Sequence, residues 1–434
     1  MRLLRLATID VHPLRRHRDF RVLFMGQAVS FLGSMVTYVA LPYQVFQLTR
    51  SSFLVGALSF AELVPLVVSA LTGGALADWA DRRKLIRLSE TALGACSLVL
   101  LGNALLPSPS VPLLFVVSMV MAGIDGFQRP ALDALIPRLV DPDELVAAGA
   151  LRSLLMNIGM VAGPAAGGAL IAVFGLPATY GFDAMTFVFS LWVLGRMQAA
   201  PPPAEAERPS LRRIAEGLRY ARSRPELLGT YTVDIVAMVF GMPKALFPAL
   251  AERLGGASAL GLLYAAISAG SLLVTVTSGW TALIRRHGVA ISIAAAGWGL
   301  AVAALGFTDS LPLALVALAA AGAADMVSGI FRSAVWNQTI PDRLRGRLAG
   351  IEQVSYSVGP ILGDLEAGAV AALAGLRVSI VSGGLLCVVG VALATAVLPA
   401  FRRYDSRSAA RLRDAEMPAS GPSADSRASA PDMD

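Results

Sequence analysis

Apolar runs about as long as a bilayer-crossing helix recur along the whole chain, separated by short polar turns. A spanning helix needs roughly twenty mostly apolar residues. Measured by that length, the pattern predicts spans near 20–46, 53–77, 85–106, 112–135, 149–174 and 178–198. After a polar stretch it predicts six more, near 227–250, 258–284, 288–308, 311–334, 348–373 and 376–399. The expected fold class is an all-α membrane protein of twelve transmembrane helices in two pseudo-symmetric six-helix bundles. Its parts would be an N-terminal segment (1–19), a first bundle (20–198), a linker (199–226), a second bundle (227–400) and a tail (401–434). The tail is rich in Ser, Ala, Asp, Arg and Pro and is expected to be disordered.

Composition agrees with the pattern. Hydrophobic residues make up 56% of the chain and charged residues 15%, against about 25% charged in a soluble domain. The formal charge of +6 comes from arginines in short runs between apolar stretches. That distribution is a topology signal and excludes a phosphate-binding face for nucleic acid. With both termini placed in the cytoplasm, Arg50, Arg253 and Arg377 are the basic residues in outside loops, and Lys244 falls within a helix. The rest of the 36 Lys and Arg are counted with the inside segments, Arg332 among them at the start of 332–347, where that segment overlaps the end of the tenth span. The positive-inside rule therefore supports both the helix count and a multi-pass cell-membrane location. Cys96 and Cys387 sit in apolar stretches as packing residues, without metal spacing or a disulfide framework. His12, His17 and His287 lie in basic cytoplasmic segments and read as charge. No cleavable signal peptide is evident. The linker opens with Pro201-Pro202-Pro203, an extended spacer. It continues with Leu211, Ile214 and Leu218 among arginines, which suits either a helix on the anionic leaflet or a solvated linker helix.

The halves echo each other, as a duplicated transporter would. Ile136-Pro137 matches Ile340-Pro341, Gly163-Pro164 matches Gly359-Pro360, and Gly74 before Arg82-Arg83-Lys84 matches Gly279 before Arg285-Arg286. The loop after the second span carries Gly74, Asp78, Arg82 and Arg83, a helix end followed by a carboxylate and a basic run. This composition fits a latch that breaks as the halves rock, or a charged turn that obeys the topology rule. The fifth span carries Gly159, Gly163-Pro164 and Gly167-Gly168, a smooth helix face with a bend, or else generic small-residue packing.

These stretches resemble the signature of the major facilitator superfamily, with departures at Trp79 and Asp81. The fifth-span pattern is similar to that of its proton-driven exporters, with Ala150 in place of a glycine. Phe247-Pro248-Ala249-Leu250-Ala251, Gly261 through Ile267, and Trp336 through Gly350 resemble the enterobactin-exporter branch. The resemblance covers roughly 18–400. It implies export of a siderophore or related amphiphile, and the branch shades into drug and macrolide efflux proteins.

Charges at bilayer depth are costly and mark function. The list is Glu62, Asp125, Asp183, Asp234, Lys244, Asp325, Glu352, Asp364 and Glu366. Asp183 and Glu352 read as structural, near helix ends. Asp125 and Asp325 occupy the fourth helix of each half, about one turn apart on one face when the Ile-Pro pairs are aligned, and either could carry a proton or make an inter-helix hydrogen bond. Lys244 could draw an anionic substrate or pair with Asp364 or Glu366. Glu62, Asp234, Tyr38, Gln44 and Tyr264 complete the candidate substrate or proton contacts. Arg129 lies near the cytoplasmic end of its span and reads as a topology charge. The expected function is secondary export by alternating access, driven by a proton gradient and needing no cofactor or metal. The expected partners are a small-molecule substrate and the lipid bilayer, with the chain a monomer. A drug exporter, a solute importer and a membrane-embedded enzyme are the competing readings. The enzyme lacks a convergent nucleophile–base set.

Overall fold

The structure is a computed structural model that describes residues 10–79, 81–198, 219–220, 222–340 and 342–405, without the side chains of 70–80 and 341–355. The described residues form helices joined by short turns and contain no strand. A short α1 (His12–Arg16) leads into α2 (Arg18–Thr49), α3 (Ser52–Trp79), α4 (Arg82–Ala104) and α5 (Val111–Leu135). The long α6 (Leu145–Leu194) follows. The second half contains α7 (Pro225–Phe240), α8 (Phe247–Leu254), α9 (Ala257–Val276), α10 (His287–Leu305), α11 (Leu311–Thr339), α12 (Asp342–Ala374) and α13 (Leu376–Val397). A final turn, α14 (Pro399–Arg402), closes the described chain.

Among the described residues, 11 stretches are long and apolar enough to cross a membrane. One of them, Pro142–Leu194, has 53 residues. At 1.5 Å per residue it would reach about 80 Å, more than twice the roughly 30 Å hydrocarbon layer. It turns back at Gly175, whose φ of 77° is open to glycine, with Pro177 just beyond. This stretch is therefore long enough for two crossings, as the predicted fifth and sixth spans require. Gly375 (φ 93°) makes the corresponding turn between α12 and α13.

Local chemistry sets the helix ends. The Asp81 carboxylate accepts from the amides of Arg83 and Lys84 at the start of α4, and Ser110 Oγ accepts from Leu113 N at the start of α5. The seventh span is interrupted between α7 and α8 by Gly241-Met242-Pro243 and a 3-10 turn at Lys244–Leu246. Broken backbone at membrane depth needs substitute partners. Trp298 Nε1 donates to the Gly241 carbonyl at 2.8 Å, and Ala245 N donates to Asp364 Oδ1 at 3.0 Å. Lys244 thus sits at a break in its span, where a continuous helix was expected.

Both described chain ends lie on one side of the molecule, here the terminus face. His287, at the turn into α10, packs its ring against Tyr404 near the chain's end and against Phe331. It is buried, a packing residue and not the surface charge expected. The opposite side is the far face.

Candidate functional site

The two bundles meet through close backbone approaches. Gly168 of α6 and Gly261 of α9 touch so closely that a methyl at Gly168 would stand 2.7 Å from Gly261 Cα. Gly56 of α3 lies against the Asp364 carbonyl of α12, and Gly368 lies against Ser52 and Phe53. Arg50 and Glu252 form an ion pair across the bundles at the loop level. Tyr38 of α2 meets Tyr264 of α9 edge-on, with ring centroids 5.5 Å apart, and Tyr264 meets Phe247 at 4.9 Å. These contacts cluster from mid-span toward the far face. The export-like glycine pattern is thereby resolved into two roles. Gly159, Gly163 and Gly167 receive Phe31, Met35 and Val36 of α2 within one bundle, while Gly168 and the Pro164 carbonyl face Gly261 of the other.

Polar groups converge at the middle of this interface. Ser118 Oγ of α5 donates to Glu62 Oε1 of α3. Lys244, at the break in the seventh span, faces the Tyr38 hydroxyl, with Asp364 and Asp325 around it. Tyr264 donates to the Lys244 carbonyl at 3.5 Å. Glu62, Tyr38, Lys244, Tyr264, Asp325 and Asp364 therefore form one central group drawn from both bundles. Glu366, two residues past Asp364 on α12, does not join it.

On the terminus-face side of the first bundle lies a cavity of about 340 Å³, within the size range of small-molecule sites. Phe24, Phe31, Met156, Met160 and Leu132 give it an apolar wall, and Gln27, Glu90, Asp125, Gln128 and Arg129 supply polar groups. Asp125 and Arg129, one turn apart on α5, are both exposed into it. Arg129 makes no ion pair with a described residue. It is a cavity arginine, where the sequence read only a topology charge. Arg152, at the rim, pairs with Asp133.

The second bundle treats its charges differently. Arg332 lies inside α11, 4% exposed, and pairs with Asp234 of α7, itself 2% exposed. Its other nitrogen is 3.5 Å from Asp325 Oδ1, and its guanidinium stands 5.4 Å from the ring centre of Tyr356. Counting Arg332 with an inside segment was incorrect, because α11 runs on through Thr339. Asp234, expected as a substrate or proton contact, is occupied as the partner of this buried cation.

Other expectations shift too. Gln44 accepts the Tyr180 hydroxyl at 2.8 Å inside the first bundle, away from the central group. Asp183, read as lying near a helix end, is fully buried in mid-span and accepts from Thr37 Oγ1 at 2.6 Å and Ser97 Oγ at 2.7 Å. Glu90, absent from the sequence candidates, is 1% exposed and borders the cavity. Its neighbours Arg82-Arg83-Lys84 and Arg87 made that stretch read as a helix mouth. A carboxylate two turns into an apolar run was the available signal. Arg82 and Arg83 donate to the carbonyls of Ala134 and Gly195 in their own bundle. The side chains of Gly74, Asp78 and Glu352 lie outside the described residues, as does most of the linker. Cys96 and Cys387 are unbridged, and Cys387 is buried in packing.

The family model described as transmembrane secretion effector matches residues 9–421. The chain is 30% identical over 398 residues to the enterobactin exporter EntS of Shigella boydii serotype 4 (strain Sb227), covering 91% of this chain and 95% of that protein. It is 29% identical over the same length to the enterobactin exporter EntS of Escherichia coli O157:H7 (strain EC4115 / EHEC), with the same coverage. Among solved structures, it is similar to a bacterial homolog of the human lysosomal transporter Spinster in an inward-facing and unoccupied conformation. That match has a TM-score of 0.67 at 17% identity and covers 89% of this chain and 98% of the other. The nucleoside transporter NupG matches with a TM-score of 0.70 at 12% identity, over 88% and 98% of the two chains. At such identities the structural likeness shows the fold. The relatives are transporters and not enzymes.

Proposed function

We propose that this chain, which belongs to the transmembrane secretion effector family of the major facilitator superfamily, exports a siderophore or related amphiphile from the cytoplasm by proton-coupled alternating access. The observation that carries the reading is the match to enterobactin exporters across 91% of the chain. Geometry supports it. The bundles are in contact from mid-span to the far face, while a cavity with an apolar wall and an arginine that makes no ion pair among the described residues lies toward the terminus face. With the arginine-rich terminus face taken as cytoplasmic, this is a state ready to load from inside.

The cavity's composition defines what it would accept. Phenylalanine and methionine side chains suit flat or irregular apolar bodies. Arg129 offers a charged, forked donor to an acidic group. Rocking the bundles about the central group would then expose the substrate on the other side. The methionines at 156 and 160 also favour a second reading, efflux of varied drug-like compounds, because such walls repack around different shapes.

The test is deletion of the gene in its host under iron limitation, with the medium profiled by mass spectrometry. Loss of a secreted chelator, restored by the wild-type protein and not by Asp125→Asn or Asp325→Asn, is the expected result. Unchanged chelator secretion in a strain without a redundant exporter would refute the siderophore assignment.

A further inference from the structure

One face of the sixth span is polar and fully enclosed. Thr179, Asp183, Thr186 and Ser190 recur at spacings of four, three and four, which places them on a single side of α6. None is more than 4% exposed. The facing helices repeat the arrangement in two layers, seven residues apart. Ser30 of α2 and Glu90 of α4 accompany Ser190, and Thr37 and Ser97 accompany Asp183.

The hydrogen bonding in this seam is one-sided. Glu90 Oε1 accepts from Gln27 Nε2 and Gln128 Nε2, each at 2.8 Å, and from Ser30 Oγ at 3.3 Å. Asp183 Oδ2 accepts from Thr37 and Ser97. Glu90 Oε2, Asp183 Oδ1 and Ser190 Oγ are buried and take no hydrogen bond of good geometry. Glu90 Oε2 and Ser190 Oγ are nevertheless neighbours. The charged groups facing the seam are Asp125 and Arg129 of α5, on the cavity side. Gly33 of α2 preserves the space, since a methyl there would stand 2.6 Å from Asp183 Oδ1.

A seam built only to hold helices together would have its polar atoms paired, because each orphan costs about 1–3 kcal/mol. Here the orphans are the atoms that a proton would use. A proton on Glu90 Oε2 makes it a donor to Ser190, and one on Asp183 Oδ1 makes it a donor to Thr186. The seam also has two ends. Glu90 borders the terminus-face cavity. One turn beyond Asp183, the Tyr180 hydroxyl donates to Gln44, which lines a pocket of about 330 Å³ with Tyr43 and Gln47 on the far-face side.

We propose that protons cross the first bundle along this enclosed file, between Asp183 and Glu90 by way of Thr186 and Ser190, and that the file meets the substrate's cavity at its Glu90 end. The inference rests on the proton-coupled reading above and names the groups that carry it. The Asp183 carboxyl gives its proton to the Thr186 hydroxyl, which passes its own proton to Ser190, and Ser190 passes its own to the Glu90 carboxylate. Each hydroxyl ends with one proton, Asp183 is left charged and Glu90 becomes neutral. Rungs one turn apart stand about 5–6 Å from each other, a gap that a turning hydroxyl and one bridging water can close. Gln44, isolated from the central group, acquires a role as the far-face entry.

The test uses the full chain in proteoliposomes with iron-free enterobactin, the substrate named for its relatives, as the probe. Transport driven by an imposed pH gradient is divided by enterobactin exchange without a gradient, which moves no net proton. Thr186→Val, equal in shape and lacking the hydroxyl, and Glu90→Gln should each lower that ratio by about tenfold or more. Thr186→Ser should restore it, which a merely structural role for the methyl-bearing residue would not produce. A wild-type ratio in both Thr186→Val and Glu90→Gln would overturn the file. Wild-type protein that exchanges enterobactin but gains nothing from the gradient would refute proton coupling itself, and the file with it.

Discussion

Gly168→Ala tests the seal between the bundles through a single methyl. The new Cβ would stand 2.7 Å from the Ala257 carbonyl oxygen and from Gly261 N and Cα. All three are backbone atoms of α9 or its neighbouring turn, so no side chain can rotate away. Relief requires the helices to separate, and overpacking of this kind costs about 1–3 kcal/mol. On the alternating-access reading the cost falls on the far-closed state alone, because α6 and α9 would part as the far face opens. The helix-propensity gain of alanine over glycine, about 1 kcal/mol, is common to both states and cancels. The population should therefore move toward the far-open state by a factor of about 5 to 150. Paired spin labels at Leu106→Cys and Phe307→Cys, on opposite bundles in a chain lacking Cys96 and Cys387, would report that shift as a longer distance component. Gly149→Ala is the control, since its added methyl meets nothing within 4 Å. A distance distribution unchanged by Gly168→Ala, or one moved toward the far-closed state, would refute the assignment of this contact as a seal.

Asp234→Asn deprives the buried Arg332 of its main partner and should lower stability by about 3–5 kcal/mol, measured by thermal unfolding in detergent. Adding Arg332→Met should recover part of that loss, and strictly additive losses would show that the pair is not coupled. Arg129→Gln should leave the melting temperature unchanged, because the guanidinium pairs with nothing described. It should also raise the KM for an acidic substrate by about tenfold or more, the loss of one charge-assisted bond. An unaltered KM would remove Arg129 from the substrate site. On the terminus face, Glu144 accepts from His12 Nδ1 and His17 Nε2, each at 2.7 Å. Glu144→Gln should loosen α1 and speed amide hydrogen exchange over residues 12–17, and unchanged exchange would mean that apolar packing alone holds that turn.

The spans were legible because bilayer thickness dictates the length of an apolar run, and that rule needs no tertiary information. Side-chain partners were not legible in the same way. Arg332 was counted with the inside charges because it opens the basic run 332–347, yet Asp234, almost a hundred positions away, neutralises it inside the protein. Glu90 was passed over because four basic residues precede it, and only the packing of α2, α5 and α6 around α4 removes it from water. Asp125 was identified by position and does face a cavity, but Asp325, its counterpart in the repeat, lies against Arg332 and near Lys244. Sequence echo predicts where a residue sits in a repeat. It does not predict which neighbour that repeat has acquired.

That divergence between the halves is itself informative about how the work is divided. Arg129 and Arg332 occupy nearly equivalent places before the Ile-Pro pair of their halves, seven and eight residues ahead of it. Arg332 is held by carboxylates on two helices and packed near Tyr356, so an approaching anion would have to displace partners already in place. Arg129 stands in a cavity where it makes no ion pair with a described residue, and Asp125 one turn away is its charged neighbour. Buried carboxylates show the reverse trend. In the second bundle Asp234 and Asp325 are tied to a cation, whereas in the first Glu90 and Asp183 are held by amides and hydroxyls alone. A carboxylate fixed by a cation resists taking a proton, and one held by neutral donors resists less. On the proposed reading, the first bundle would be the half that receives an acidic substrate and exchanges protons. The second, on the same reading, would supply the wall whose arginine is already neutralised, and Lys244 at the break of the seventh span brings a cation to the shared centre.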